Sequence, residues 1–135
     1  MVRTENIHLT LAFLGEAEPA GAIAAARAVR GARHALPIEE ARYWKENAIL
    51  WAGPNATPAQ LKALVDSLHQ ALRRASLTLE ERPFAAHVTL LRKANRPRSL
   101  PPLPRVEWPV DEFLLVRSSA SSEGSTYEPV ERFSL

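Results

Sequence analysis

Ile7-His8-Leu9-Thr10-Leu11 and Ala86-His87-Val88-Thr89-Leu90 carry one pattern, His-x-Thr-Leu, near the start of the chain and again well past its middle. Around the first copy the residues alternate. Ile7, Leu9, Leu11 and Phe13 fall on one side of an extended chain, with His8, Thr10, Ala12 and Leu14 on the other, until Gly15 ends the run. The spacing predicts a strand over residues 7–14 and a second over 84–91. Each would present an imidazole and a hydroxyl on the same face. A single histidine on a strand is most often a hydrogen-bonded structural residue; its recurrence with the same neighbours favours chemistry.

That chemistry follows from the side chains. If the two strands border one cleft, two imidazoles flank a single scissile bond while the threonine hydroxyls donate to the non-bridging oxygens of an anion. Imidazole titrates near pH 6.5 in the absence of perturbation, so at neutral pH one ring can act as acid and the other as base. Each such role is worth about 10²- to 10⁴-fold in rate, and the pair suits phosphodiester cleavage without a metal. Zinc binding is the weaker reading, because each strand offers one histidine with no Cys, Asp or Glu at ligand spacing.

Composition bounds the rest. A chain of 135 residues predicts one domain, residues 1–135. With 46% hydrophobic and 24% charged residues it is no disordered segment. The absence of cysteine excludes a disulfide framework and thiolate metal sites, and points to a reducing cytoplasm. Seventeen basic against fifteen acidic residues is too even a balance for nucleic-acid binding by bulk charge, so an anion must be held locally. No apolar run is long enough for a membrane span, and none resembles a signal peptide; no membrane partner is expected.

Working outward from the motifs, Ala22, Ala26, Val29 and Ala32 predict a helix over residues 19–35. Segments 38–44 and 48–52 predict a hairpin around Lys45-Glu46-Asn47. Thr57-Pro58-Ala59-Gln60 predicts a capped helix start, followed by Leu61, Leu64, Val65, Leu68 and Leu72 on one face. Prolines make 97–109 a loop, and 113–116 and 127–133 read as closing strands joined by 118–124. The order implies an α+β fold with largely antiparallel sheet. His34 and His69 read as surface residues. Trp44, Trp51, Trp108, Tyr43 and Tyr127 are candidates to stack a base or to form core, Tyr127 foremost. Ser118 is a turn or cleft residue, and Lys93, Arg96 and Arg98 either follow an RNA backbone or are simply solvated.

Asn6 to Leu11, followed by Phe84-Ala85-Ala86-His87-Val88-Thr89-Leu90-Leu91-Arg92, resembles the two-histidine (2H) phosphoesterase superfamily. The nearest branch is that of RNA 2′,3′-cyclic phosphodiesterases, also called 2′-5′ RNA ligases or LigT-like proteins, and the resemblance covers residues 2–135. It implies a bilobal fold, with two pseudo-symmetric lobes of mainly antiparallel sheet, outer helices and a central cleft. It implies cofactor-free hydrolysis of RNA or nucleotide 2′,3′-cyclic phosphodiesters to 2′-phosphomonoesters, with 2′-5′ ligation as the reverse reaction. His8 would be the proton donor to the departing 3′ oxygen and His87 the proton acceptor from water. Thr10, Thr89 and Arg92 would bind the phosphate, and Tyr127 would contact the substrate. Strict alternation puts Arg92 opposite His87, so its role requires the strand to end or bulge near Leu91. The reading from another class is a module that binds cyclic- or 2′-phosphate RNA ends without turnover. Family members carry a strand and helix ahead of the first motif that are not found here, which predicts a homodimer, strand exchange or low stability.

Overall fold

The computed structural model describes residues 2–80, 83–100, 104–122 and 124–135. A 3-10 turn, Thr4–Asn6, precedes helix α1 (Pro19–Arg27) and strands β1 (His34–Ile38), β2 (Glu40–Trp44) and β3 (Ile49–Gly53). Helix α2 (Ala59–Arg74) leads to β4 (Val88–Leu91), β5 (Val106–Val110), β6 (Glu112–Ser121) and β7 (Gly124–Ser134). These elements form two units. One comprises Met1–Thr10, Ala35–Thr57 and Ala85–Trp108, the other Leu11–His34, Pro58–Phe84 and Pro109–Leu135. The α+β reading with antiparallel pairing therefore holds, in two units.

In the first unit, β2 and β3 form the expected antiparallel hairpin, with Tyr43 opposite Leu50 and Trp44 opposite Ile49. Its turn closes at Ala48 with a positive φ of 54°. β3 pairs on its other edge with β4, so the sheet order is β2-β3-β4. The Val2 amide donates to Leu90 O at 3.1 Å and lays the N-terminal segment beside β4. β1 and β5 form a separate two-stranded sheet.

The second unit is built on α2. Leu61, Leu64, Val65, Leu68 and Leu72 are all buried, as their spacing requires. Leu64, Leu68 and Leu72 cluster with Ala25, Ala26 and Val29 from α1 and its C-terminal side, and with Leu79, Phe113 and Phe133. The two phenyl rings stack across β6 and β7 with centroids 5.0 Å apart. In this pair Leu115 opposes Glu131 while Val116 opposes Pro129, so Val130 is an extra residue. The bulge sits beside a proline that has no N–H to give the ladder.

Several element boundaries differ from expectation. Residues 7–14 form no strand: Ile7 is 39% and Phe13 57% exposed, so the apolar alternation meets no continuous face to bury it. Residues 84–87 are likewise outside β4. Helix α1 stops at Arg27, short of the expected residue 35, and beyond it Gly31 runs so close to α2 that a Cβ there would lie 2.9 Å from Leu64 Cδ1. The chain then enters β1 at His34. α2 starts one residue later than the Thr57 cap implies; Pro58 takes the cap position with no side-chain bond, and its carbonyl accepts from the Lys62 amide. The expected loop 97–109 contains β5, Pro109 included, while Pro101, Pro102 and Leu103 lie outside the described residues. The serine-rich connector 118–124 is mostly hairpin, paired rung by rung from Ser118–Tyr127 to Ser121–Gly124. Polar composition concealed it, since this hairpin is held by its ladder with little apolar burial; Glu123 and Arg82 lie outside the described residues.

Leu64 is fully buried at the centre of the helix–hairpin core. Leu64→Ala is expected to cost about 2–5 kcal/mol of unfolding free energy. Urea denaturation followed by circular dichroism measures it, and a loss below about 1 kcal/mol would mean that the core is centred elsewhere.

Candidate active site

Both motifs fall in the first unit: His8 and Thr10 on the extended segment that follows the Thr4–Asn6 turn, His87 just before β4, and Thr89 within it. The two imidazoles are held alike. His8 Nδ1 lies 2.6 Å from Asn6 O, and His87 Nδ1 lies 2.7 Å from Ala85 O. A carbonyl oxygen only accepts, so Nδ1 carries the proton in each and the lone pair of the neutral ring is on Nε2. His34 makes the same bond to Ala32 O at 2.8 Å, so this bond is a property of histidine on extended chain. What sets His8 and His87 apart is the threonine two places on; position 36 holds a buried leucine.

His87 has an aromatic wall. Trp44 meets its ring edge-on at 4.6 Å between centroids, Trp51 does so at 6.1 Å, and the two indoles lie 4.7 Å apart. The β2–β3 register explains why both reach the same place: Trp44 ends β2 opposite Ile49, and Trp51 follows two residues later on the next strand. Both indoles, candidates for base stacking or for core, pack on this imidazole. The Trp51 Nε1–H is buried with no acceptor among the described residues. Behind the wall, a Cβ on Gly53 would come within 2.6 Å of Ala86 O, so only glycine lets β3 approach the residue before His87 this closely.

Arg92 meets its register condition. Leu50 pairs with Leu91 but Trp51 with Thr89, leaving Leu90 as an extra residue, and β4 ends at Leu91. A bulge shifts the alternation by one, so residue 92 follows Thr89 onto its side of the strand. The Arg92 side chain is exposed. Tyr127 belongs to the second unit, half-buried on β7 opposite Ser118.

The two histidines read as surface residues are not. His34 is half-buried with Nε2 enclosed, and His69 Nε2 donates to Leu11 O at 2.8 Å. With the Glu80 amide, which donates to Phe13 O at 3.2 Å, His69 ties down the chain just beyond Thr10. Its place at the edge of the α2 stripe carried no sign of this, because its partner is a backbone atom far away in sequence.

A family model described as LigT like Phosphoesterase matches residues 1–51 and 52–127, one motif in each stretch. The chain is 35% identical over 140 residues to the RNA 2′,3′-cyclic phosphodiesterase of Escherichia coli, spanning 99% of this chain and 78% of that protein. It is 31% identical to the protein of that name from Geobacillus stearothermophilus, over 99% of this chain but 47% of the relative. Among solved structures, E. coli LigT complexed with 3′-AMP superposes with a TM-score of 0.90 at 32% identity, covering 99% of this chain and 79% of that one.

The close approach at Gly53 has a measurable cost. Gly53→Ala is expected to destabilise by about 1–3 kcal/mol through overpacking against Ala86 and Trp51. Gly21→Ala, in α1 with nothing within 4 Å of the new methyl group, should instead stabilise by up to about 1 kcal/mol. Paired urea titrations test both, and equal effects would dismiss the close approach.

Proposed function

The chain belongs to the LigT-like phosphoesterase family, and from that membership we propose that it hydrolyses RNA or nucleotide 2′,3′-cyclic phosphodiesters to 2′-phosphomonoesters. The observation that carries this reading is the matched presentation of two imidazoles, each bonded through Nδ1 to the carbonyl two residues back and each followed by a threonine. Nε2 is then the nitrogen through which each ring transfers its proton in the proposed reaction.

In this mechanism the Nε2 of neutral His87 takes a proton from water as its oxygen attacks phosphorus. The P–O3′ bond breaks on the opposite side, and protonated His8 gives its Nε2 proton to the departing 3′ oxygen. The phosphate remains on the 2′ oxygen, with His8 neutral and His87 charged; exchange with solvent restores both. Thr10 and Thr89 hydroxyls donate to the non-bridging oxygens, where charge accumulates, and the Arg92 guanidinium compensates that charge. Trp44 and Trp51 fix the plane of the His87 ring, so that its lone pair is aimed before substrate arrives. No metal is needed for any of these steps.

Hydrolysis of a 2′,3′-cyclic mononucleotide in EDTA, with the phosphate position of the product identified, is the direct test. His8→Ala and His87→Ala should each lower kcat at least about 100-fold, the ordinary size of a lost general acid or base. The parent should show a bell-shaped pH profile, with each variant losing one limb. Turnover at the parent rate in either variant would overturn the assignment; binding of the nucleotide without product would favour the non-catalytic module.

A further inference from the structure

Resting on that reading, we propose that Lys93, Arg96 and Arg98 form a docking track for the single-stranded RNA that runs 5′ from the cyclic phosphate. A 2′,3′-cyclic phosphate is a 3′ end. Every other phosphate of a polynucleotide substrate therefore lies on its 5′ side, and the chain leaves the site in only one direction. Immediately after Arg92, Lys93, Arg96 and Arg98 supply three more cations within six residues, all exposed.

These cations are uncompensated. Arg27, Arg42, Arg105 and Arg132 each hold a glutamate at 3.1 Å or less, whereas Lys93, Arg96 and Arg98 form no ion pair among the described residues. An unpaired basic run is ordinarily a solvated, mobile face, but this one is anchored. Ala94 is buried in its middle; its N–H donates to Ala48 O at 2.9 Å and its carbonyl accepts from the Tyr43 hydroxyl at 2.9 Å. Both anchors belong to the β2–β3 hairpin, the element that carries Trp44 and Trp51 to His87. The turn between them contributes Lys45 and Glu46, which offset one another. Lys93 takes a positive φ of 53°, bending the chain directly after Arg92. The start of the basic run is thus tied to the hairpin of the unit that holds His87 before any RNA is bound, which lowers the ordering cost of capturing a flexible strand there.

Counterion release gives this a signature. Each single-strand phosphate neutralised contributes about −0.7 to the slope of log affinity against log salt, so three contacts give about −2, or roughly a 20-fold loss over a fourfold rise in salt. The experiment compares kcat/KM for a tetranucleotide ending in a 2′,3′-cyclic phosphate, which has three internal phosphates, with that for a 2′,3′-cyclic mononucleotide. It uses the parent and a Lys93→Ala/Arg96→Ala/Arg98→Ala variant at two salt concentrations about fourfold apart. The parent should favour the tetranucleotide, with the steeper slope. The variant should lose that preference and slope through KM, with mononucleotide turnover unchanged. Equal slopes for the two substrates in the parent, or a variant that keeps the preference, would overturn the track. Failure of the parent to hydrolyse the mononucleotide would refute the hydrolytic reading instead. Fluorescence anisotropy with a 2′-phosphorylated tetranucleotide then decides the track by itself: tighter, salt-dependent binding by the parent supports it, and equal binding by parent and variant refutes it.

Discussion

Each aromatic group found around His87 is delivered by β3 or by a strand hydrogen-bonded to it. β3 pairs on both edges, so its position is fixed from two sides, and it brings Trp51 to the imidazole and Gly53 against the carbonyl before it. β2, on one edge, adds Trp44; β4, on the other, continues directly from His87 to Thr89. A strand held on one edge alone would let these distances drift, and the proton acceptor proposed at His87 would lose much of its advantage with a drift of about an ångström. The bulge at Leu90 belongs to the same arrangement. One inserted residue changes which face the chain beyond Thr89 presents, which puts residue 92 in register with His87 and Thr89 despite the odd interval, as the proposed phosphate contact requires.

Proton placement is settled by equally plain means. Backbone carbonyls, which cannot donate, put Nδ1–H on both motif histidines, so the proposed proton transfers run through Nε2. Many acid–base sites use a carboxylate for this task, adding a negative charge next to the ring. A carbonyl orients the ring without that charge.

Much of this was legible in the residues, for reasons that differ by element. The α2 core face was readable because five apolar residues at helical spacing admit one burial pattern. The β2–β3 hairpin was readable because two apolar runs flank a polar turn. The motif pair was readable because repetition survives any error in secondary structure: residues 7–14 form no strand, yet His8 and His87 make the same Nδ1 bond to the carbonyl two residues back. What escaped depended on partners remote in the chain. His69 bonding Leu11 O, Tyr43 bonding Ala94 O and both indoles packing on His87 leave no local trace. The outer rungs of the β6–β7 hairpin, from Ser118–Tyr127 to Ser121–Gly124, escaped for the opposite reason, since backbone pairing needs no apolar signature.

That hairpin has two stabilities along one pair of strands. At its base Phe113 and Phe133 are stacked inside the helical core; beyond the Val130 bulge the rungs through Ser118 and Tyr127 are joined by ladder bonds with mostly solvent-exposed side chains. Opening the outer rungs exposes little apolar surface, whereas opening the base dismantles the core. The bulge therefore acts as a seam between the half of the hairpin that the core supports and the half that stands mostly in solvent.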